Sequence, residues 1–279
     1  MTQTVNALLK HGLERLYPVL LDNAATDVKA LLAHVLDVDR GLLAARSHDI
    51  VTSAQDAAFQ DAIEKRYARQ PVSQIIGVRE FWSRDFHVTP DVLDPRPDTE
   101  TLIEQVLKIG PVPSFLDLGT GSGCILITLL AEWSQAQGVG VDRCEKALHI
   151  AQGNAQSHGV MARACLKQSN WFSNVTGQFD LIVSNPPYIS SDAMQLVAPE
   201  VRNWEPRMAL TPEGDGLDAY RVIAKQADQY LNNSGYIFVE IGFDQAKAVL
   251  KIFSDAGFNN GHCIQDLSRQ DRVICVNKT

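Results

Sequence analysis

The sequence is short of the features that mark several large classes of protein. Its five cysteines (Cys124, Cys144, Cys165, Cys263 and Cys275) form an odd set without a C-x-x-C pair. That pattern argues for reduced thiols and against a disulfide framework or a zinc knuckle. The seven histidines are scattered, with no H-E-x-x-H or similar ligand spacing, so no metal is expected. The longest apolar stretch, from Ile125 to Ala131 with Thr128 inside it, is far too short to cross a bilayer. The beginning, MTQTVNALLKHGL, lacks a basic stretch followed by an apolar run. A cytoplasmic protein without membrane attachment is therefore expected. Positive charge is scarce as well: 25 Lys and Arg face 33 Asp and Glu, a formal net charge of −8. Nucleic-acid binding draws much of its affinity from Lys and Arg on phosphates, so direct binding of nucleic acid is disfavoured. The first 85 residues are almost neutral, and the acidic excess lies in the remainder.

What is present is the composition of an ordinary globular chain, 45% hydrophobic and 21% charged over 279 residues, with ample length for a core. Residues 1–75 read as helices. Val28, Leu31, Leu32, Val35 and Leu36 share one helical face. Thr52 and Gln55 have capping-box spacing, followed by Phe59, Ile63 and Tyr67 four apart. No phosphate loop or catalytic cluster lies here, which suits a structural or recognition module. Residues 76–113 read as a hairpin linker and a connecting helix that starts near Pro97, with Asp98 and Glu100 at its N-terminus.

From residue 114 strands and helices alternate. SFLDLG, GVGVD, RACLK, FDLIVSN and GYIFVEIG are the strand signals, which predicts an α/β, doubly wound, mostly parallel sheet over 114–279. HCIQDL and RVICVN follow without an intervening helix and read as an antiparallel pair at the sheet edge.

Two strand ends carry chemistry. After the first strand, Asp117 precedes Gly119-Thr120-Gly121-Ser122-Gly123, a turn whose glycines let a ligand approach the backbone closely. Asp142 closes the next strand at the distance where nucleotide folds place a ribose-binding acid; its competing role is a helix N-cap. Asn170 and Trp171 follow the third strand, where an amide could meet an adenine edge and an indole could pack on its face. The ligand is then an adenosine compound, either a dinucleotide or S-adenosylmethionine. After the fourth strand comes Asn185-Pro186-Pro187-Tyr188. Proline fixes φ at two successive positions, so the Asn185 side-chain oxygen and the Pro186 carbonyl can be held side by side as acceptors for a planar NH2 group. Tyr188 can cover the flat face of that group.

Together these segments resemble the PrmC/HemK family, the glutamine N5-methyltransferases of class 1 peptide-chain release factors. The resemblance runs through QPVSQIIGVREFW, DPRPDTE, FLDLGTGSG, GVGVD, SNPPYI, EVRNWEPRMAL with DGLDAYR, FVEIG and DLSRQDRV. It implies a class I methyltransferase-like fold behind a small all-α domain that grips the substrate, and S-adenosyl-L-methionine as methyl donor. By the resemblance Gly119, Thr120, Gly121, Ser122, Gly123, Asp142, Trp171 and Asn185 bind the donor, and Asp117 and Asn170 are expected beside them from their places at the strand ends. Asn185, Pro186, Pro187 and Tyr188 hold the glutamine amide, with Asn185, Pro186 and Tyr188 catalytic. The expected partner is a class 1 release factor, met by a monomer. Asn170 stands where an acid is usual in the family, Asp94 where an aliphatic residue is common, and Asp98 where Glu is common. Glu205, Glu240 and Arg272 match family positions and read first as structural polar residues. Competing functions are a ribosomal-protein glutamine methyltransferase, a DNA adenine methyltransferase, which the acidic charge disfavours, and a non-catalytic module on the same scaffold.

Overall fold

A computed structural model describes residues 3–19 and 23–278. They fall into two compact units, Met1–Val78 with Ala198–Trp204, and Arg79–Val197 with Glu205–Thr279. The first unit packs α1 (Val5–Leu16), α2 (Ala24–Leu36), α3 (Ser53–Tyr67) and α4 (Val72–Ile76) around one apolar cluster. Val28, Leu31 and Leu32 of the expected α2 face are fully buried, as are Phe59 and Ile63 of α3. Each such side chain contributes roughly 1.5–3 kcal/mol. The capping box forms: Thr52 Oγ1 accepts from Gln55 N at 3.2 Å, and Gln55 Oε1 accepts from Thr52 N at 2.9 Å. Tyr67 departs from its spacing and lies exposed, with the Arg15 guanidinium 3.4 Å from its ring centre.

The excursion 198–204, which contains a short helix (α8, Pro199–Trp204), belongs to this first unit. Glu200 accepts from Arg69 Nη1 at 2.7 Å, and Trp204 Nε1 donates to the Ala68 carbonyl at 3.3 Å. The Gln74 side chain donates to the Trp204 carbonyl at 3.0 Å.

In the second unit the strands β1 (Val78–Phe81) and β2 (Arg84–His87) form a hairpin, and α5 (Thr99–Lys108) follows. From Arg79 onward the hairpin and α5 fall within this unit. Phe81 and Phe86 share a buried cluster with Leu102, Ile103 and Val106 of α5 and with the sheet. The sheet has seven strands in the order β5-β4-β3-β6-β7-β9-β8. These are β3 (Ser114–Leu118), β4 (Gln137–Asp142), β5 (Ala164–Gln168), β6 (Phe179–Ser184), β7 (Leu231–Glu240), β8 (His262–Gln265) and β9 (Asp271–Asn277). The pairs from β5 to β7 are parallel, and β9 is antiparallel to both β7 and β8.

Side chains alternate across this sheet as the strand period of two requires. Phe115, Leu181, Val183, Phe238 and Val273 join one core with α5 and α6 (Cys124–Glu132). Leu116, Ile182, Ile237, Val239 and Ile274 join the other, against α10 (Asp218–Tyr230) and α11 (Ala246–Asp255). Of the remaining helices, α7 (Glu145–Ser157) packs against β4 and β5, and the short α9 (Arg207–Leu210) precedes α10 in the chain. The strand order reverses between β3 and β6, and in open α/β sheets ligands bind in the crevice at such a switch point.

Candidate active site

The parallel register sets Leu118 beside Ser184, so the loops that begin with Gly119 and Asn185 leave adjacent strand ends together. Ser184 Oγ, fully buried, donates to the Leu118 carbonyl at 2.7 Å and ties the two ends. Gly119 N and Thr120 N both donate to the Val141 carbonyl, which folds the glycine turn back over β4. Thr120 Oγ1 donates to Asp117 Oδ2 at 2.7 Å. Burial pushes the Asp117 carboxyl up to about 7, against the lowering effect of that hydrogen bond. Gly119 and Gly121 have φ values of +73° and +54°, and a Cβ built on either would meet no protein atom closer than 4.0 Å. That space is a cradle of bare backbone.

The cradle is one wall of a cleft of about 770 Å³, open to solvent. Asp142, Asn170, Trp171, Asn185 and Pro187 stand on it with Gly119 and Gly121. Asp142 is held by two backbone donors, Gly121 N to Oδ2 at 3.0 Å and Cys144 N to Oδ1 at 2.8 Å. It therefore fastens the glycine turn and the start of α7 at once, and each oxygen keeps a lone pair for a further donor. Burial raises its pKa, and the backbone hydrogen bonds oppose that. Trp171 takes a left-handed φ of +53°, uncommon for a bulky residue, and Ser169 Oγ donates to its carbonyl at 2.7 Å. The donor set of this cleft, one pinned carboxylate, an amide and an indole around bare backbone, suits an adenosine ligand.

At the other strand end the Asn185 amide nitrogen donates to Thr99 Oγ1 at 3.0 Å. Thr99 Oγ1 in turn donates to Glu240 Oε2 at 2.6 Å, and the Tyr188 hydroxyl donates to Glu240 Oε1 at 3.3 Å. Burial pushes Glu240 up to about 7 and raises the Tyr188 phenol as well. The Tyr188 carbonyl accepts from Gln245 Nε2 at 2.9 Å, so this residue is held at both ends. Pro186 is buried, while Asn185, Pro187 and Tyr188 are half-buried.

Not every expected site residue reaches the cleft wall. Asp117, Thr120 and Ser122 are buried behind the turn, and Gly123 caps α6 with its Cα beside Ala151 of α7. Pro186 and Tyr188 also stand off the wall. The wall includes residues that were not expected in the site: Asp91, Val92 and Leu93, and Pro206, Met208 and Ala209. DPRPDTE begins directly after Leu93, and Pro206, Met208 and Ala209 lie within EVRNWEPRMAL; Arg96 Nη2 joins the two segments through both oxygens of the buried Glu205, at 2.7 and 2.6 Å. Asn154 of α7 was also missed. Its amide donates to the carbonyls of His87 and Ser122, stitching the hairpin to the glycine turn. Among the described residues, no group of three His, Cys, Asp or Glu side chains is placed to hold a metal ion.

The chain is 46% identical to the release factor glutamine methyltransferase of Cereibacter sphaeroides over 95% of each chain. It is 41% identical to the protein of that name from Geobacter sulfurreducens, over 91% of this chain and 89% of that one. The chain belongs to the release factor glutamine methyltransferase family. This is the family its motifs resembled. The PrmC N-terminal domain family matches residues 7–77 of this family member, and the methyltransferase small domain family matches 93–215. Among solved structures, the hMettl16 catalytic domain bound to a 3′UTR hairpin superposes with a TM-score of 0.59 at 16% identity, covering 76% of this chain and 80% of that one. A T. thermophilus 16S rRNA N2 methyltransferase, solved with AdoMet and guanosine, gives 0.51 at 18% identity over 72% and 50% of the two chains. At such identities the likeness shows the class I methyltransferase fold, and both of those chains share it with this family member.

Proposed function

We propose that this protein transfers a methyl group from S-adenosylmethionine to the side-chain amide nitrogen (N5) of the glutamine in the GGQ motif of class 1 peptide-chain release factors. The observation that carries the reading is the Asn185 amide, anchored by its nitrogen at a strand end that adjoins the open glycine cradle. Full-length relatives that bear the release factor name support the substrate. The bound AdoMet of the rRNA methyltransferase supports the donor.

Gly119, Gly121, Asp142, Asn170, Trp171 and Asn185 would hold the donor, with Asp117, Thr120, Ser122 and Gly123 shaping the turn from behind. When bound, S-adenosylmethionine supplies an electrophilic methyl group. The rest falls to this chain. An amide nitrogen is a poor nucleophile because its lone pair is delocalised into the carbonyl. Asn185 Oδ1 and the Pro186 carbonyl accept its two N–H bonds, which turns the lone pair toward the electrophile and eases loss of one of these protons to solvent in the open cleft as the new bond forms. Positioning of this kind can supply up to roughly 7–11 kcal/mol, and fixed acceptors add to it without reorganisation. Tyr188 covers the face of the amide, and no strong base is called for.

The helical unit serves to grip the release factor, and the protein acts in the cytoplasm as a monomer, without direct nucleic-acid contact. The acidic charge supports the last point. The test is incubation of the protein with labelled methyl donor and, separately, release factor, ribosomal proteins and DNA, followed by peptide mapping. Label on the release factor glutamine is the expected result. Label confined to a ribosomal protein or to adenine would replace this substrate with that one.

A further inference from the structure

We propose that Thr99 and Glu240 are positioning residues, a two-link relay that decides which end of the Asn185 amide is offered to the substrate. The inference rests on the clamp reading above and extends it to two residues that stand off the cleft wall. A side-chain amide has two ends of similar size and opposite character. Only the oxygen can accept from a substrate NH2; with the amide reversed, one NH2 would face another.

The relay removes that ambiguity by proton counting. Thr99 Oγ1 carries a single proton, and an ionised carboxylate can only accept. The Thr99 proton therefore goes to Glu240 Oε2, at 2.6 Å, and the Thr99 oxygen is left to accept. What it accepts is the Asn185 Nδ2–H, at 3.0 Å. Asn185 Oδ1 is then the end turned away from Thr99, toward the space where the amide is to be bound. Tyr188 donates to the other oxygen of the same carboxylate at 3.3 Å, so one group sets two members of the clamp.

Thr99 is 2% exposed and Glu240 1% exposed, so water cannot take over either hydrogen bond. A carboxylate is costly to bury, and an apolar side chain would pack the end of β7 at lower cost. An ionised acceptor is what the relay needs. Glu240 is faced by Thr99 and Asp98 at the start of α5, Tyr188 after β6, Arg272 of β9, Tyr220 of α10 and Cys124 of α6. Burial pushes it up to about 7. Once protonated, Glu240 can donate to Thr99, Thr99 can donate to Asn185 Oδ1, and the amide is held the wrong way round.

The test uses the full-length protein, its release factor substrate and saturating donor. Thr99→Val should lower kcat at least about tenfold with little change in donor affinity, and Thr99→Ser should restore most of it, because only the hydroxyl matters. In wild type kcat should fall as pH drops below about 7, about tenfold per pH unit once Glu240 is mostly protonated. Glu240→Gln cannot titrate, so that limb should disappear whatever its maximal rate. Wild-type kcat in Thr99→Val, failure of Thr99→Ser to recover, or a pH profile of Glu240→Gln identical to that of wild type overturns the relay. If Thr99→Val does not fold, the Thr99→Ser rate and the two pH profiles still decide. A wild-type enzyme that leaves the release factor unmethylated defeats the functional reading itself, an outcome distinct from a relay that fails in an active enzyme.

Discussion

Gly216 offers a perturbation that separates backbone strain from damage to the clamp. Its φ is +78°, and a Cβ built on it would collide with the Tyr188 carbonyl oxygen and come within 3.1 Å of both Gln245 Nε2 and Ser190 N. Alanine there costs about 1–2 kcal/mol for the left-handed backbone. The obstacle is main chain, so no rotamer change relieves it and the Tyr188 peptide has to move. That movement strains the hydrogen bond from Gln245, 2.9 Å long, worth about another 0.5–1.5 kcal/mol. Gly214 is the control, because it too is left-handed, at +58°, yet has nothing within 4 Å of its Cβ position. Gly214→Ala should therefore lose only the strain, and Gly216→Ala about 1.5–3.5 kcal/mol in all by urea denaturation. The clamp follows Tyr188, and misplacement on the order of 1 Å can cost about 10²-fold in rate. In methylation assays at saturating donor, kcat should fall roughly 10–100-fold for Gly216→Ala and stay close to wild type for Gly214→Ala. Equal destabilisation of the two variants, with wild-type kcat in Gly216→Ala, would mean that Tyr188 is not displaced by a Cβ at position 216.

Two further outcomes are expected. Burial pushes the carboxyls of Asp117, Glu205 and Glu240 up to about 7 from ordinary values near 4, so the folded state binds their protons more tightly than the unfolded one. Their contribution to stability is present at low pH and lost as pH rises through 7, so the urea midpoint should be lower at pH 8 than at pH 6; a midpoint that rises over that interval contradicts the burial argument. Asp142→Asn should weaken donor binding by roughly 1.5–3 kcal/mol, because one of the backbone donors at Gly121 or Cys144 then meets an NH2 group and a charged acceptor is lost. Calorimetry that finds unchanged affinity in the folded variant would leave Asp142 as a support for the turn and for α7.

Much of this architecture was legible because it is written in local patterns. The run FDLIVSN is apolar on both faces because β6 is buried on both faces, and every strand named from sequence is present in the sheet. The glycine turn and the Asn-Pro-Pro-Tyr loop were legible for the same reason: their chemistry lies in consecutive residues. Contacts between distant segments were not. Glu240 looked like a structural acid, since nothing near FVEIG shows that Thr99 and Tyr188 converge on its two oxygens from 141 and 52 residues away. The excursion 198–204 was also hidden, because Glu200 meets Arg69 across 131 residues. It bears on domain design, since deleting residues 1–70 would strip Glu200 of Arg66 and Arg69 and Trp204 of its Ala68 acceptor. Thr120 and Ser122 show the limit of a motif, since both side chains are buried behind the turn. Membership of a ligand-binding motif does not say which side chains of a turn face out and which face in.

In the proposed mechanism Asn185 holds the substrate amide in the transition state. The most direct test of that role is the single-turnover rate of methyl transfer to release factor by Asn185→Ala, at saturating donor and with the fold verified. Removing one fixed hydrogen bond to a transition state costs roughly 2.7–4 kcal/mol, so the rate should fall about 10²–10³-fold. A rate near that of wild type would contradict the account.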